Sequence, residues 1–313
     1  MGKVILFGEP MALFIADTVG PLEEVEHFTR SLSGAEINVC LGLSRLGHSA
    51  VFVSKLGDDV FGHYIEKYLK KRMIDTEISY DGNYRTGIQL KSKVLHGDPE
   101  APYYRKNSAA SYISEEEINR VNLDDVDHLH ITGIPPALSR SCRAATFRLV
   151  DRARERGIFV SFDPNLRPSL WEREEVMIGT LNELAKKADL VLPGVSEGKI
   201  LLGTDQLSEI ADRYQNMGVS QVIIKNGANG AYGRDGNKSY EVPGFKVENV
   251  VDTVGAGDGF AVGVISARLE NLSFEEMMRR GNAIGAIQVM HKGDNEGLPT
   301  RDKLEEFMNI AHE

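Results

Sequence analysis

Short apolar runs alternate with longer helical patterns along almost the whole of this chain, and that alternation limits the folds open to it. Residues 4–7, 51–56, 158–162, 189–192 and 222–224 are short, apolar and bounded by Gly, Pro or Asp, as buried strands are. Helical patterns over about 35–46, 60–73, 137–156, 171–187, 207–217 and 274–290 separate or follow them. The expected fold is α/β: one doubly wound, mostly parallel sheet flanked by helices, spanning residues 1–313 as a single domain. Two segments break the rhythm. Residues 11–28 and 77–107 place Ile88, Leu90 and Val94 between polar residues, then a turn at 96–99 and an extended piece at 101–105. They are expected to form a small separate β-sheet, polar on one face, that closes over a ligand as a lid or pairs with a second copy of itself.

Of the 313 residues, 42% are hydrophobic, enough for a large core. The formal net charge is −10, and the longest basic cluster is Lys70-Lys71-Arg72 on a helical pattern, so binding to a nucleic-acid backbone is not expected. Cys40 and Cys142 stand alone in apolar helical patterns and support neither a disulfide framework nor a Cys-rich metal site. No run approaches a membrane span and the N-terminus enters a strand directly, so a cytoplasmic protein is expected.

The chemistry concentrates in D-T-V-G-A-G-D-G-F, residues 252–260. The small-residue pattern after it, through Ala261, Gly263, Ile265 and Ala267, is helical. Gly255, Ala256 and Gly257 therefore fall at a helix start, where amides lack intrahelical partners and the dipole is positive. Such a turn can cradle an anion, and Asp258 beside it can take a proton from a hydroxyl. The plainer alternative is a capped helix with a glycine turn. Elsewhere, Gly34 permits close backbone approach and Asn38 both donates and accepts, although an ordinary helix start would look the same. Tyr103 and Arg105 share one face of an extended segment, where a phenol and a guanidinium can grip a hydroxyl and a carboxylate; a cross-strand Tyr pair with a solvated Arg is the competing reading.

Taken together, the 252–258 spacing resembles the C-terminal signature of the ribokinase-like (PfkB-type) carbohydrate kinases. The resemblance reaches from Gly34 and Asn38 to Asn282. It implies that Asp258 is the catalytic base and that Gly255, Ala256 and Gly257 form the anion hole. It implies sugar contacts at Gly34 and Asn38, Arg167 of D-P-N-L-R between acceptor and phosphates, and ATP contacts at Ser196, Lys225, Gly227, Gly230, Gly257 and Asn282. Glu197 would help organise Mg²⁺, and Asp252 would lie by a monovalent cation such as K⁺. Two departures stand out: Ser33-Gly34 replaces a doubled glycine, and Gly194 replaces an Asn that usually precedes Glu197 by three residues.

Within the family, the chain is most similar to kinases of 2-keto-3-deoxygluconate. Tyr103, Arg105 and Arg167 imply an anionic sugar, because two cations in a sugar pocket need a charged partner to offset their desolvation. Gln89 stands where such kinases tend to carry an aromatic, and could still bond a hydroxyl. The expected activity is ATP-dependent, Mg²⁺-supported phosphorylation of a sugar acid by a homodimer joined through its lids. A kinase of a neutral sugar such as fructose or ribose is the alternative, followed by a non-catalytic sugar-binding sensor.

Overall fold

A computed structural model describes residues 2–95 and 99–310; the turn expected at 96–99 falls, at 96–98, outside the described residues. Thirteen strands are present among them. The first seven are β1 (Lys3–Phe7), β2 (Met11–Val19), β3 (Phe28–Ser33), β4 (Ser49–Gly57), β5 (Asp75–Asp81), β6 (Ile88–Lys93) and β7 (Tyr103–Tyr104). There follow β8 (His128–Thr132), β9 (Phe159–Asp163), β10 (Leu190–Val191), β11 (Gln221–Lys225), β12 (Ala231–Asp235) and β13 (Lys238–Val242).

Nine of them make one sheet in the order β13-β12-β11-β10-β9-β8-β1-β4-β5. It is parallel from β11 to β5, and only the β11-β12-β13 meander runs antiparallel. Strand β1 alternates its side chains between two cores. Val4 and Leu6 join the apolar cluster on one face, Ile5 and Phe7 the cluster on the other. That double burial is why these runs are continuously apolar. The chain leaves β1 toward β4 on one side and returns to β8 on the other, so the order reverses beside β1. Ligands bind at the carboxyl ends of the strands at such a reversal.

The four strands β3-β2-β6-β7 form the small sheet. Its composition differs from the expected segments. Asp75–Asp81 pairs in parallel with β4 as the edge of the large sheet, while Phe28–Ser33 joins the small one. The lid expected over 77–107 thus loses its first residues to the large sheet, where Ile78 and Tyr80 pack on the core while Ser79 bonds Glu117 and Asp81 pairs with Lys55. The run Gly57-Asp58-Asp59-Val60-Phe61-Gly62 is structural. Asp59 Oδ1 accepts from the amides of Phe61 and Gly62, and Oδ2 from Thr86, so it caps a helix and pins a loop. Cys40 and Cys142 are both buried and unpaired. No described helix is long and apolar enough to cross a membrane.

The helix Ala256–Leu269 is buried along most of its length and packs against Phe274–Val289. Small residues let the backbones approach. A Cβ at Gly263 would lie 2.5 Å from the Arg280 carbonyl oxygen, and one at Gly281 2.9 Å from the Phe260 ring. The first contact is with backbone, which cannot swing aside. Gly263→Val is therefore expected to cost about 1–3 kcal/mol or more by overpacking, against a small helix-propensity gain over glycine. A urea midpoint unchanged from wild type would show that the helices separate freely.

Candidate active site

One cleft of about 610 Å³ opens at the carboxyl ends of the parallel strands, large enough for a small ligand. Its wall takes Glu9 from the loop after β1, Asp163 from the end of β9, Ser196 and Glu197 after β10, and Lys225 from the end of β11. The small sheet adds Tyr103, and Arg105 follows it. The start of the helix Ala35–Arg45 adds Gly34, Glu36 and Asn38, and the turn before Ala256–Leu269 adds Thr253 to Gly255, then Gly257 and Asp258.

Gly255 caps that last helix at φ 79°, a left-handed conformation that side chains resist, and a Cβ there would meet the Asp294 carbonyl at 2.2 Å. Ala256 N reaches Thr253 O only at 3.4 Å. Among the described residues, the amides of Gly255, Gly257 and Asp258 donate no hydrogen bond within the protein. A cluster of unpaired N–H groups at the positive end of a helix attracts an anion.

Asp258 stands in the first turn of the same helix. Its Oδ2 accepts from Asn38 Nδ2 at 2.8 Å, and its Oδ1 lies 3.4 Å from Asn165 Nδ2. Burial pushes its pKa up to about 7; the Asn38 bond and the Arg167 charge oppose the rise, and Asp163 and Glu36 add to it. Asn38, expected among the sugar contacts, orients the carboxylate, and its Oδ1 accepts from Asn295. Arg167 is held by Asn165 Oδ1 at 2.7 Å and the Leu166 carbonyl at 2.9 Å, not by Asp163 or Glu172. This keeps its charge on the cleft wall.

Tyr103 and Arg105 both line the cleft, but Arg105 is not waiting for a ligand with its whole fork. Its Nε and Nη2 lie 2.7 and 2.5 Å from Glu9 Oε2, a carboxylate 1% exposed. Glu36, also 1% exposed, lies deeper; burial raises its pKa to about 7, and it accepts from the Thr132 hydroxyl. Gln89 sits directly opposite Tyr103 in the β6–β7 register, buried, with Oε1 unpartnered among the described residues.

On the other side of Asp258, Lys225 Nζ lies 2.6 Å from Asp163 Oδ2. Burial works against its ammonium, but Asp163 and neighbouring carboxylates outweigh it and hold its pKa above the ordinary value. Glu197 accepts from the Gly194 amide at 2.6 Å and the Leu166 amide at 2.9 Å. With one amide on each oxygen, it fits a Mg²⁺ shell through an intervening water better than by direct ligation. No three of His, Cys, Asp or Glu converge as a metal-ligand group among the described residues.

Several expected residues lie off the cleft wall. The Ala256 side chain does not line it, and neither do Gly227, Gly230 or Asn282. Gly230, at φ 96°, passes so close to the Val242 carbonyl that a Cβ would lie 2.1 Å from it, and Asn282 Nδ2 donates to Val242 O and Pro243 O at 3.1 Å each. Those contacts fasten the end of β13 to the loop after β11 and to the Phe274–Val289 helix. Asp252, expected beside a monovalent cation, bonds Lys91 Nζ at 2.8 Å. Glu9, Glu36, Asp163 and Lys91 were not picked out from the sequence. Asp163 and Glu9 carry a signal in retrospect, a charge at the end of an apolar run where a parallel strand meets its loop.

Residues 1–301 match the family model of the pfkB carbohydrate kinases. The chain belongs to the pfkB family of carbohydrate kinases. It is 48% identical over 307 residues to the 2-dehydro-3-deoxygluconokinase of Bacillus subtilis (strain 168), covering 97% of this chain and 95% of that one. Among solved structures it resembles a PfkB protein from Polaromonas sp. JS666, with TM-score 0.89 and 42% identity over 97% of this chain and 99% of that one. A fructokinase double mutant from Vibrio cholerae O395, in a fructose-, ADP- and potassium-bound form, superposes with TM-score 0.84 at 25% identity over 98% of each chain.

The pKa of Asp258 carries a consequence for stability. Burial raises it from 3.8 to about 7, so the folded state holds the proton more tightly than the unfolded chain. The resulting stabilisation is full below the unfolded value and is lost as pH rises through about 7. Asp258→Asn, neutral throughout, is expected to be more stable than wild type by about 1–3 kcal/mol above that pH, the scale of an undersolvated buried group. The gain should vanish in acid. Denaturant unfolding at both ends of the range reads it, and a gain independent of pH would remove the buried-charge explanation.

Proposed function

We propose that this kinase transfers the γ-phosphoryl group of ATP to the terminal hydroxyl of 2-keto-3-deoxygluconate (2-dehydro-3-deoxygluconate), giving its 6-phosphate. The observation that carries the chemistry is Asp258, a carboxyl poised near neutrality one turn from unpaired amides. The sugar acid lies against Gly34, Asn38, Tyr103 and Arg105, with Gln89 behind the tyrosine. ATP reaches the cleft from the side of Ser196 and Lys225, its nucleoside toward Gly227, Gly230 and Asn282. Asp258 accepts the proton of the hydroxyl as that oxygen attacks the γ-phosphorus and ADP leaves. The amides of Gly255, Ala256 and Gly257 steady the charge on the moving group. Glu197 would help hold Mg²⁺ through water, and the ion would supply neutralisation of phosphate charge. Closure of the small sheet excludes water and limits ATP hydrolysis.

The anionic substrate is supported by Arg105 and Arg167 on the cleft wall and by the similarity to the Bacillus enzyme. One observation favours a neutral sugar such as fructose: Glu9 already neutralises most of the Arg105 fork. The carboxylate would then be met by the remaining Nη1, which makes no hydrogen bond among the described residues, together with Tyr103 and Arg167. We extend the reading to a homodimer through the small sheets, whose exposed Val19, Leu95 and Tyr104 it would cover. A single monomeric species in sedimentation would remove that extension.

Measuring sugar-dependent ADP formation against acidic and neutral sugars decides the substrate class, with 2-keto-3-deoxygluconate expected to give the highest kcat/KM. Asp258→Asn should lower kcat by about 10²–10⁴-fold. In wild type the rate should climb with pH through about 7, as the base loses its proton, and level off above. Near-normal turnover in the Asn variant would end the assignment of the base. Arg105→Ala should raise KM for the acidic sugar about tenfold and change it less for fructose, the difference expected of one charge-assisted contact.

A further inference from the structure

Lys91, in the middle of β6, is a charge that the reading above leaves unused. It is 5% exposed. Its Nζ lies 2.8 Å from Asp252 Oδ2 and 3.1 Å from Asp294 Oδ1. Each partner leads to a different part of the active site. Asp252 opens the turn that ends at Gly255, and its Oδ1 accepts from the Val254 amide at 3.0 Å. Asp294 presses its carbonyl against Gly255, and its Oδ2 accepts from Ser33 Oγ at 2.8 Å, the residue before Gly34. One ammonium thus joins a strand of the small sheet, the anion-hole turn and the sugar-binding turn. Without a cation between them, two largely buried carboxylates would face one another, and one would have to move or take a proton.

Asp252 is also the residue beside which the family resemblance places a monovalent cation. In this chain a side chain supplies the positive charge at that acid, and a potassium ion bonded to the same Asp252 Oδ2 would contend with it for the place. We propose that Lys91 is a built-in monovalent cation, a positioning residue that shapes the anion-hole turn, ties it to the small sheet and frees turnover from any need for potassium. The proposal rests on the kinase activity but not on which sugar is used. Because the charge travels with β6, the amides around Gly255 take their working arrangement only while the small sheet is seated.

The test compares buffers of matched ionic strength in which the monovalent cation is potassium or tetramethylammonium. Wild type should turn over equally in both. Lys91→Ala, which opens room at the site, should lose about tenfold or more in tetramethylammonium, the scale of one buried charge-assisted contact. Potassium or ammonium should restore much of that loss. Lys91→Met, which fills the room without charge, should lose as much and not be restored. A second readout needs no sugar: potassium should raise the thermal midpoint of Lys91→Ala and leave that of wild type unchanged. Activation of wild type by potassium would overturn the proposal, as would full activity of Lys91→Met in tetramethylammonium. So would a loss in Lys91→Ala that no cation restores in either readout. The wild-type comparison requires no variant to fold. Failure of the kinase reading would appear separately, as no sugar-dependent ADP in any buffer.

Discussion

The active site depends on placing a desolvated carboxylate and a set of unsatisfied amides in the same helix turn. Each is costly alone. Unpaired N–H groups lose the free energy of the bonds they do not make, and a carboxylate out of water is driven to take a proton. Together they partly offset one another, because the positive end of the helix favours the negative charge that burial disfavours. The outcome for Asp258 is a pKa near 7, set by burial and trimmed by Asn38 and Arg167. In the role proposed for it, a base with that balance would be charged often enough to act and basic enough to hold the proton it takes.

The rest of the fold keeps this turn where it is. The helix behind it is packed closely enough at Gly263 and Gly281 that it cannot slide, and Gly42 of the Ala35–Arg45 helix lets its Val262 approach. That same Ala35–Arg45 helix carries Asn38, so the residue that aims Asp258 belongs to an element locked against the helix that bears it. The strand reversal beside β1 then brings Glu9, Asp163 and Lys225 to the same end of the sheet. Precision here comes from packed backbone rather than from loops, and loops are left to carry the variable contacts.

What could be read beforehand was what is local. The glycine turn and Asp258 lie within a few consecutive residues, and strand-helix alternation is itself a short-range pattern, so both were legible. Asn38 was visible as a polar residue in an apolar helix, but its bond to Asp258 spans 220 positions and was not. The same holds for Glu9 with Arg105, 96 positions apart, and for Lys91 with Asp252, 161 apart. A lysine in I-Q-L-K-S-K looks like the solvated face of a strand until the acids that receive it are located. The boundary of the lid is missed for a related reason: residues 77–81 pair with β4, a partner more than twenty positions earlier in the chain, and nothing local marks where one sheet ends and the other begins.

Charge accounts for why the small sheet must carry cations. Glu9, Glu36, Asp163, Glu197, Asp258 and Asp294 all border the cleft, and a phosphorylated nucleotide and a sugar acid would add more negative charge. Lys225 is paired with Asp163 and so offsets an acid before any ligand arrives, while Arg167 lies on the open side. Arg105 from the small sheet meets Glu9, as Lys91 meets Asp252 and Asp294. Withdrawing that sheet would strip two cations from a site already rich in carboxylates. The anions would then repel one another in a partly dry environment, where such repulsion is weakly screened. On the proposed reading, seating the sheet would therefore be an electrostatic condition for holding both substrates at once, in addition to any service as a barrier to water.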